Sequence, residues 1–132
     1  LEEKSFSELC KVMDTLLGEN GCAWDKAQTH ESLRPHILEE SQEVVEAIDK
    51  NDKNGLCEEL GDVLLQVVIH SRIAEKNGHF TLKEVIDGLS EKLIRRHSHV
   101  FGDDKAESPE EVAKIWEANK LKEKKEHGKD GK

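Results

Sequence analysis

The stretch 63-VLLQVVI-69 is apolar at every position but one, and its flanks decide how it is read. Apolar residues recur at helical intervals from about Leu56 to Lys76, and no alternation of period two appears, so the run predicts a helix rather than a strand. Being apolar on nearly every side, this helix is expected to lie buried at the centre of the fold. Asn77 and Gly78 supply its stop.

The same period extends outward in both directions. Upstream, Phe6, Leu9, Val12, Met13, Leu16 and Leu17 form one stripe on a helix from about Ser5 to Leu17, ended by Gly18. After the loop 18-GENGCAWDKAQTHE-31, a second helix starts near Ser32, with Pro35 tolerable only in its first turn, and runs to about Lys50. The segment 51-NDKNG-55 turns the chain into the central helix. Downstream, capping boxes in 81-TLKE-84 and 108-SPEE-111 open helices reaching about His97 and Leu121. The expected architecture is all-α: a bundle of about five helices with a four-helix core, in one domain over residues 1–121. The remainder, 122-KEKKEHGKDGK-132, has no apolar stripe and is expected to be a charged, disordered tail.

Charge and cysteine usage exclude several classes. With 29 acidic against 20 basic residues and a formal net charge of -9, the chain is not expected to coat nucleic acid or an anionic membrane. A phosphate-bearing partner would need a local basic patch or a metal. The three cysteines, Cys10, Cys22 and Cys57, are an odd number without a C-x-x-C pair, which argues against a disulfide framework or zinc ribbon and for a reducing, cytoplasmic setting. No apolar run approaches the ~20 residues needed to span a bilayer. The chain opens on Leu1 rather than methionine, as a trimmed chain or a piece of a longer protein would.

Two acidic clusters interrupt this apolar pattern, 39-EESQEV-44 and 58-EELGDV-63. At about 100° per residue, Glu40 and Glu43 share the face of Leu33, Ile37, Val44 and Ala47, while Glu59 and Asp62 share that of Leu56, Val63, Gln66 and Ile73. A lone E-x-x-E is usually a solvated face. Two such pairs on the inward faces of successive antiparallel helices instead bring four carboxylates together, and their mutual repulsion and burial require compensation by cations or protons, which a divalent metal would supply. All-oxygen ligation suits Mg²⁺, with Mn²⁺ as a substitute, rather than zinc. Gly61, in mid-helix between two acids, costs roughly 1 kcal/mol of helix propensity and suggests a close helix approach. Lys92 and Arg96, four residues apart with Arg95 flanking, either offer an ammonium and guanidinium groups to phosphate oxygens or form a solvated basic face near a helix C-terminus, where cations are favoured in any case.

The pattern E-E-x-x-E followed by E-x-x-D, seen in Glu39, Glu40, Glu43, Glu59 and Asp62, resembles the signature of the MazG family of nucleoside triphosphate pyrophosphohydrolases. The stretches 21-GCAWDKAQTHESLRPHILEE-40, 58-EELGDVLLQVV-68, 91-EKLIRRHSHVFGD-103 and 116-WEANK-120 are similar to it as well, so the resemblance covers Phe6 to about Lys122. Family members commonly have proline at Ala23 and Ser98, and Ala-Tyr at Ser41 and Gln42; none of these departures removes a carboxylate. Some carry two such domains in tandem, and this chain has one.

The resemblance implies a MazG-like bundle that hydrolyses a nucleoside triphosphate between its α and β phosphates, giving a monophosphate and pyrophosphate, in a nucleotide-pool house-cleaning role. Glu40, Glu43, Glu59 and Asp62 would hold Mg²⁺, and Glu39 or Glu43 would activate the attacking water. Lys92, Arg95 and Arg96 would bind phosphates. Trp24, Asp25, Lys26, Gln28 and Thr29 in the loop, with Trp116 and Lys120, are candidate nucleotide contacts; for the tryptophans, core packing is the commoner use. His36 and His70 fall near the carboxylate faces as either structural or functional groups. The rivals are a di-iron or di-manganese carboxylate bundle, disfavoured because neither pair ends in histidine, and a non-catalytic dimerisation or regulatory domain with a structural cation. The excess apolar surface of the central helix predicts a homodimer or higher homo-oligomer.

Overall fold

The structure, a computed structural model, describes residues 1–127. Among them every regular element is a helix, in agreement with the all-α expectation. The chain divides into two units, the first being Leu1–Leu82 and the second beginning at Lys83.

The first unit contains α1 (Glu2–Leu17), the short α2 (Ala23–Lys26), α3 (Arg34–Asp49) and α4 (Lys53–Lys76). Its core joins Met13, Leu33, Val68 and Ile69, with Phe6, Leu9, Leu17 and Ile73 packed around them. The apolar run at 63–69 is therefore buried on one side only. Val68 and Ile69 face inward, whereas Leu64, Leu65 and Val67 are 40%, 38% and 40% exposed. Arg72 ties α4 to α1 through Asp14 at 2.8 Å and holds Glu75 at 3.0 Å. Glu75 in turn accepts the backbone N–H of Leu82 at 2.8 Å.

Between α3 and α4 the chain reverses in three residues. Asn51 takes a left-handed φ of 53°, and Asp52 caps α4 by accepting the Gly55 N–H at 2.9 Å. A side chain on Gly55 would meet that carboxyl at 2.3 Å, so glycine is what lets the cap close. Past α4, Gly78 adopts φ 74°, the left-handed stop expected of it. Gly61 departs from its expectation: nothing among the described residues lies within 4 Å of where its Cβ would stand. α3 packs against the flank carrying Glu59, Asp62 and Val63, and Gly61 points away from it.

The second unit holds α5 (Leu82–Arg96, its first residue in the first unit), α6 (Ser98–Phe101) and α7 (Pro109–His127). Ser108 caps α7 by accepting the Glu111 N–H at 3.2 Å. The segment expected to fray from Lys122 is helical to His127, because Glu123 is 8% exposed and held by Arg95 at 3.1 Å and Arg96 at 3.0 Å. The rest of that tail, 128–132, lies outside the described residues.

Candidate active site

Because α3 and α4 are antiparallel neighbours, residues one turn apart on each meet across the contact. Glu40, Glu43, Glu59 and Asp62 each bring one carboxylate oxygen to within 4.8 Å of the others, and all four residues are half-buried. Four like charges at this separation cannot all be accommodated without compensation. Burial, followed by the charges of Asp62, Glu43 and Glu39, pushes Glu40 above the ordinary carboxylate range. Glu59 is pushed up to about 7, first by a hydrogen bond with the Glu43 carboxyl, then by burial and the charges of Glu43, Asp62 and Glu40. A hydrogen bond between two carboxyls requires that one keep its proton.

Glu40 Oε2 and Glu59 Oε2 are shielded from solvent and have no hydrogen-bond partner. Buried oxygens of this kind are costly unless something outside the chain satisfies them. An oxygen-ligated divalent cation meets that need and relieves the repulsion in one step, so the residues fit Mg²⁺ or Mn²⁺. Glu39 is exposed at the edge of the group.

The candidate nucleotide residues of the loop divide. Trp24 is 54% exposed and sits edge-on to His36, 5.8 Å between ring centroids, one helical turn before Glu40. Asp25, Lys26, Gln28 and Thr29 instead line a separate cavity of about 620 Å³ with Asp14, Arg72 and Lys76. Arg72 lies ten residues beyond Asp62 on α4, or about 15 Å along the helix. Three of these four residues spend their side chains holding the loop. Lys26 Nζ donates to Glu19 O at 3.1 Å, Gln28 Nε2 to Trp24 O at 2.9 Å, and Thr29 Oγ1 accepts the Ser32 N–H at 3.0 Å.

In the second unit Lys92 is half-buried, whereas Arg95 and Arg96 both hold Glu123. Arg96 also lies over the Trp116 ring, 5.3 Å from its centroid, and His97 meets the same ring edge-on at 5.1 Å. Trp116 is thus a packing partner of α5, and Lys120 is half-buried one turn later on α7.

His70 and Gln66, both near the carboxylate faces in sequence, have surroundings that the sequence does not show. His30 and His70 stack 5.0 Å apart with Nδ1 to Nδ1 at 2.7 Å, so one proton is shared between the rings. Burial, then His30, holds His70 below the usual histidine range. Gln66, the one polar residue of 63–69, is 8% exposed with Oε1 unpartnered. Its place four residues after Asp62 in an apolar run was the available signal; a pairing between residues 40 positions apart had none.

The sequence profile of the MazG nucleotide pyrophosphohydrolase domain matches residues 28–101, more than half of the chain and both carboxylate pairs. The chain belongs to the MazG family. It is 53% identical over 119 residues to the nucleoside triphosphate pyrophosphohydrolase/pyrophosphatase MazG of Thermotoga maritima, covering 90% of this chain and 45% of that protein. To the nucleoside triphosphate pyrophosphohydrolase of Escherichia coli K12 it is 46% identical over 105 residues, 80% of this chain and 40% of that one. The chain thus spans less than half the length of these relatives. A crystal structure of a mazG-related protein from Thermotoga maritima superposes with a TM-score of 0.72 at 30% identity, covering 87% of this chain and 98% of that one. MazG membership agrees with the resemblance carried by the acidic signature.

Proposed function

We propose that this MazG domain hydrolyses nucleoside triphosphates between the α and β phosphates, with Mg²⁺ held by Glu40, Glu43, Glu59 and Asp62. The observation that carries this reading is the meeting of four carboxylate oxygens within 4.8 Å, two of those residues also keeping a buried, unpartnered oxygen. The names of the relatives, nucleoside triphosphate pyrophosphohydrolases, support the reaction class.

Held by these four carboxylates, Mg²⁺ would neutralise the charge that develops on the leaving pyrophosphate. The chain's part is to orient a water for attack on the α phosphorus and to take its proton. As the water oxygen bonds to that phosphorus, the bond to the bridging oxygen breaks and its electron pair leaves with pyrophosphate. Glu43 or Glu39 accepts the proton. Lys92, Arg95 and Arg96 are the proposed phosphate ligands, which for the two arginines means exchanging Glu123 for phosphate oxygens. Trp24 is kept as a proposed base contact.

The working form is a homodimer. Leu60, Leu64 and Val67 form an exposed stripe on α4, and Ile86, Leu89 and Leu93 another on α5, surface that a second copy would cover. The three free cysteines suit a reducing cytoplasm, where the reaction would clear surplus or damaged nucleotides.

The test is incubation with Mg²⁺ and each standard nucleoside triphosphate, followed by chromatographic separation of products. Monophosphate with pyrophosphate is expected. Diphosphate with orthophosphate, or no turnover with either Mg²⁺ or Mn²⁺, overturns the proposal.

A further inference from the structure

Beside the carboxylates, α3 and α4 enclose a cavity of about 200 Å³ lined by Ile37, Glu40, Ser41, Val63, Gln66, Val67 and His70. The surface its walls expose is mostly apolar, with Ile37, Val63 and Val67 contributing to it. Yet three of the buried polar atoms that lack a partner belong to its lining, namely Glu40 Oε2, Gln66 Oε1 and His70 Nε2. Gln66 is more than nine-tenths buried. An amide oxygen held in such a place is a cost to the fold unless a ligand donates to it.

Register along α4 orders these groups. Asp62, Gln66 and His70 follow one another at four-residue intervals, so each stands about 6 Å further along one face of the helix than the last. A nucleotide has the same order of parts: phosphate, sugar, base. Resting on the metal-dependent reading above, we infer that the cavity is the nucleoside subsite, with Gln66 Oε1 accepting from the sugar 3′-hydroxyl and His70 Nε2 meeting the polar edge of the base. The 3′-hydroxyl is the sugar hydroxyl with the shortest covalent path to the α phosphorus, which matches the residue one turn from Asp62. Ile37, Val63 and Val67 supply the apolar contact that a planar ring requires.

The His30 partner gives His70 its meaning. When His30 donates across the 2.7 Å Nδ1 contact, His70 Nε2 carries the hydrogen and donates to the base; when His70 donates, Nε2 accepts. His30 is therefore a positioning residue for base selection.

The experiment uses the intact chain with Mg²⁺ and compares 2′-deoxy with 2′,3′-dideoxy nucleoside triphosphates, in the wild type and in Gln66→Leu and His70→Phe. The wild type is expected to lose on the order of tenfold in kcat/KM when the 3′-hydroxyl is removed. Gln66→Leu should show a ratio near one, and its ligand-free thermal midpoint should hold or rise because an orphaned acceptor has gone. His70→Phe should compress the spread of kcat/KM among the bases while leaving the 3′-hydroxyl ratio intact. Binding of α,β-methylene analogues, which are not hydrolysed, should follow the same pattern. A Gln66→Leu variant that folds and keeps the wild-type 3′-hydroxyl ratio overturns the subsite, leaving the cavity to water, even if turnover is normal. A wild type that binds the analogues with that discrimination but never turns over removes the hydrolytic reading and leaves the subsite standing.

Discussion

Glu59 is where the physics of the site is most exposed to measurement. Its folded carboxyl titrates near 7 against an ordinary 4.5, so between those values the folded chain holds a proton that the unfolded chain has released. Stability contributed by this group is therefore present below 4.5 and is lost as pH rises to about 7. In chelator, the urea midpoint of the wild type minus that of Glu59→Gln should fall across this window; a flat difference would contradict the assignment. By the same reasoning Glu59→Gln, a permanent mimic of the protonated form, should melt no lower than the wild type at pH 8 without metal. With Mg²⁺ present it should lose roughly 100-fold or more in turnover, read from pyrophosphate release. Glu123 works in the opposite direction, its carboxyl held low first by the Arg96 hydrogen bond, against the cost of burial, with Arg95 assisting.

At the scale of elements, the helices were legible because apolar period and caps agree. Ser108 does cap α7, and Ser108→Ala should cost about 1 kcal/mol, measured by urea denaturation. The acidic pairs were legible too, since helical periodicity turns a three-residue spacing into a shared face. What sequence could not supply was context. The mid-helix place of Gly61 suggests a close approach, but a Cβ there meets nothing among the described residues, so Gly61→Ala should stabilise α4 by about 1 kcal/mol in thermal or urea melts. α2 and α6, four residues each, are too short for periodicity to register. The reach of α7 beyond Leu121 depends on a partner of Glu123 that lies 27 residues earlier, which no local pattern reveals.

At the scale of the molecule, the exposed apolar stripes bear on assembly. Leu64→Lys, placed mid-stripe on α4, should convert a dimer to a monomer in sedimentation while leaving the helical circular dichroism signal unchanged; a wild type that sediments as a monomer would remove the dimer from the proposal. The three-residue reversal at Lys50, Asn51 and Asp52 has a further effect, on the order in which the protein comes into being. All four carboxylates lie on one hairpin, and its core partners Met13 and Leu33 precede it in the chain. Contacts so local close quickly. Once Lys76 has cleared a ribosome, everything the proposed metal centre would need from the chain has already emerged, and α5 to α7 have yet to follow it out.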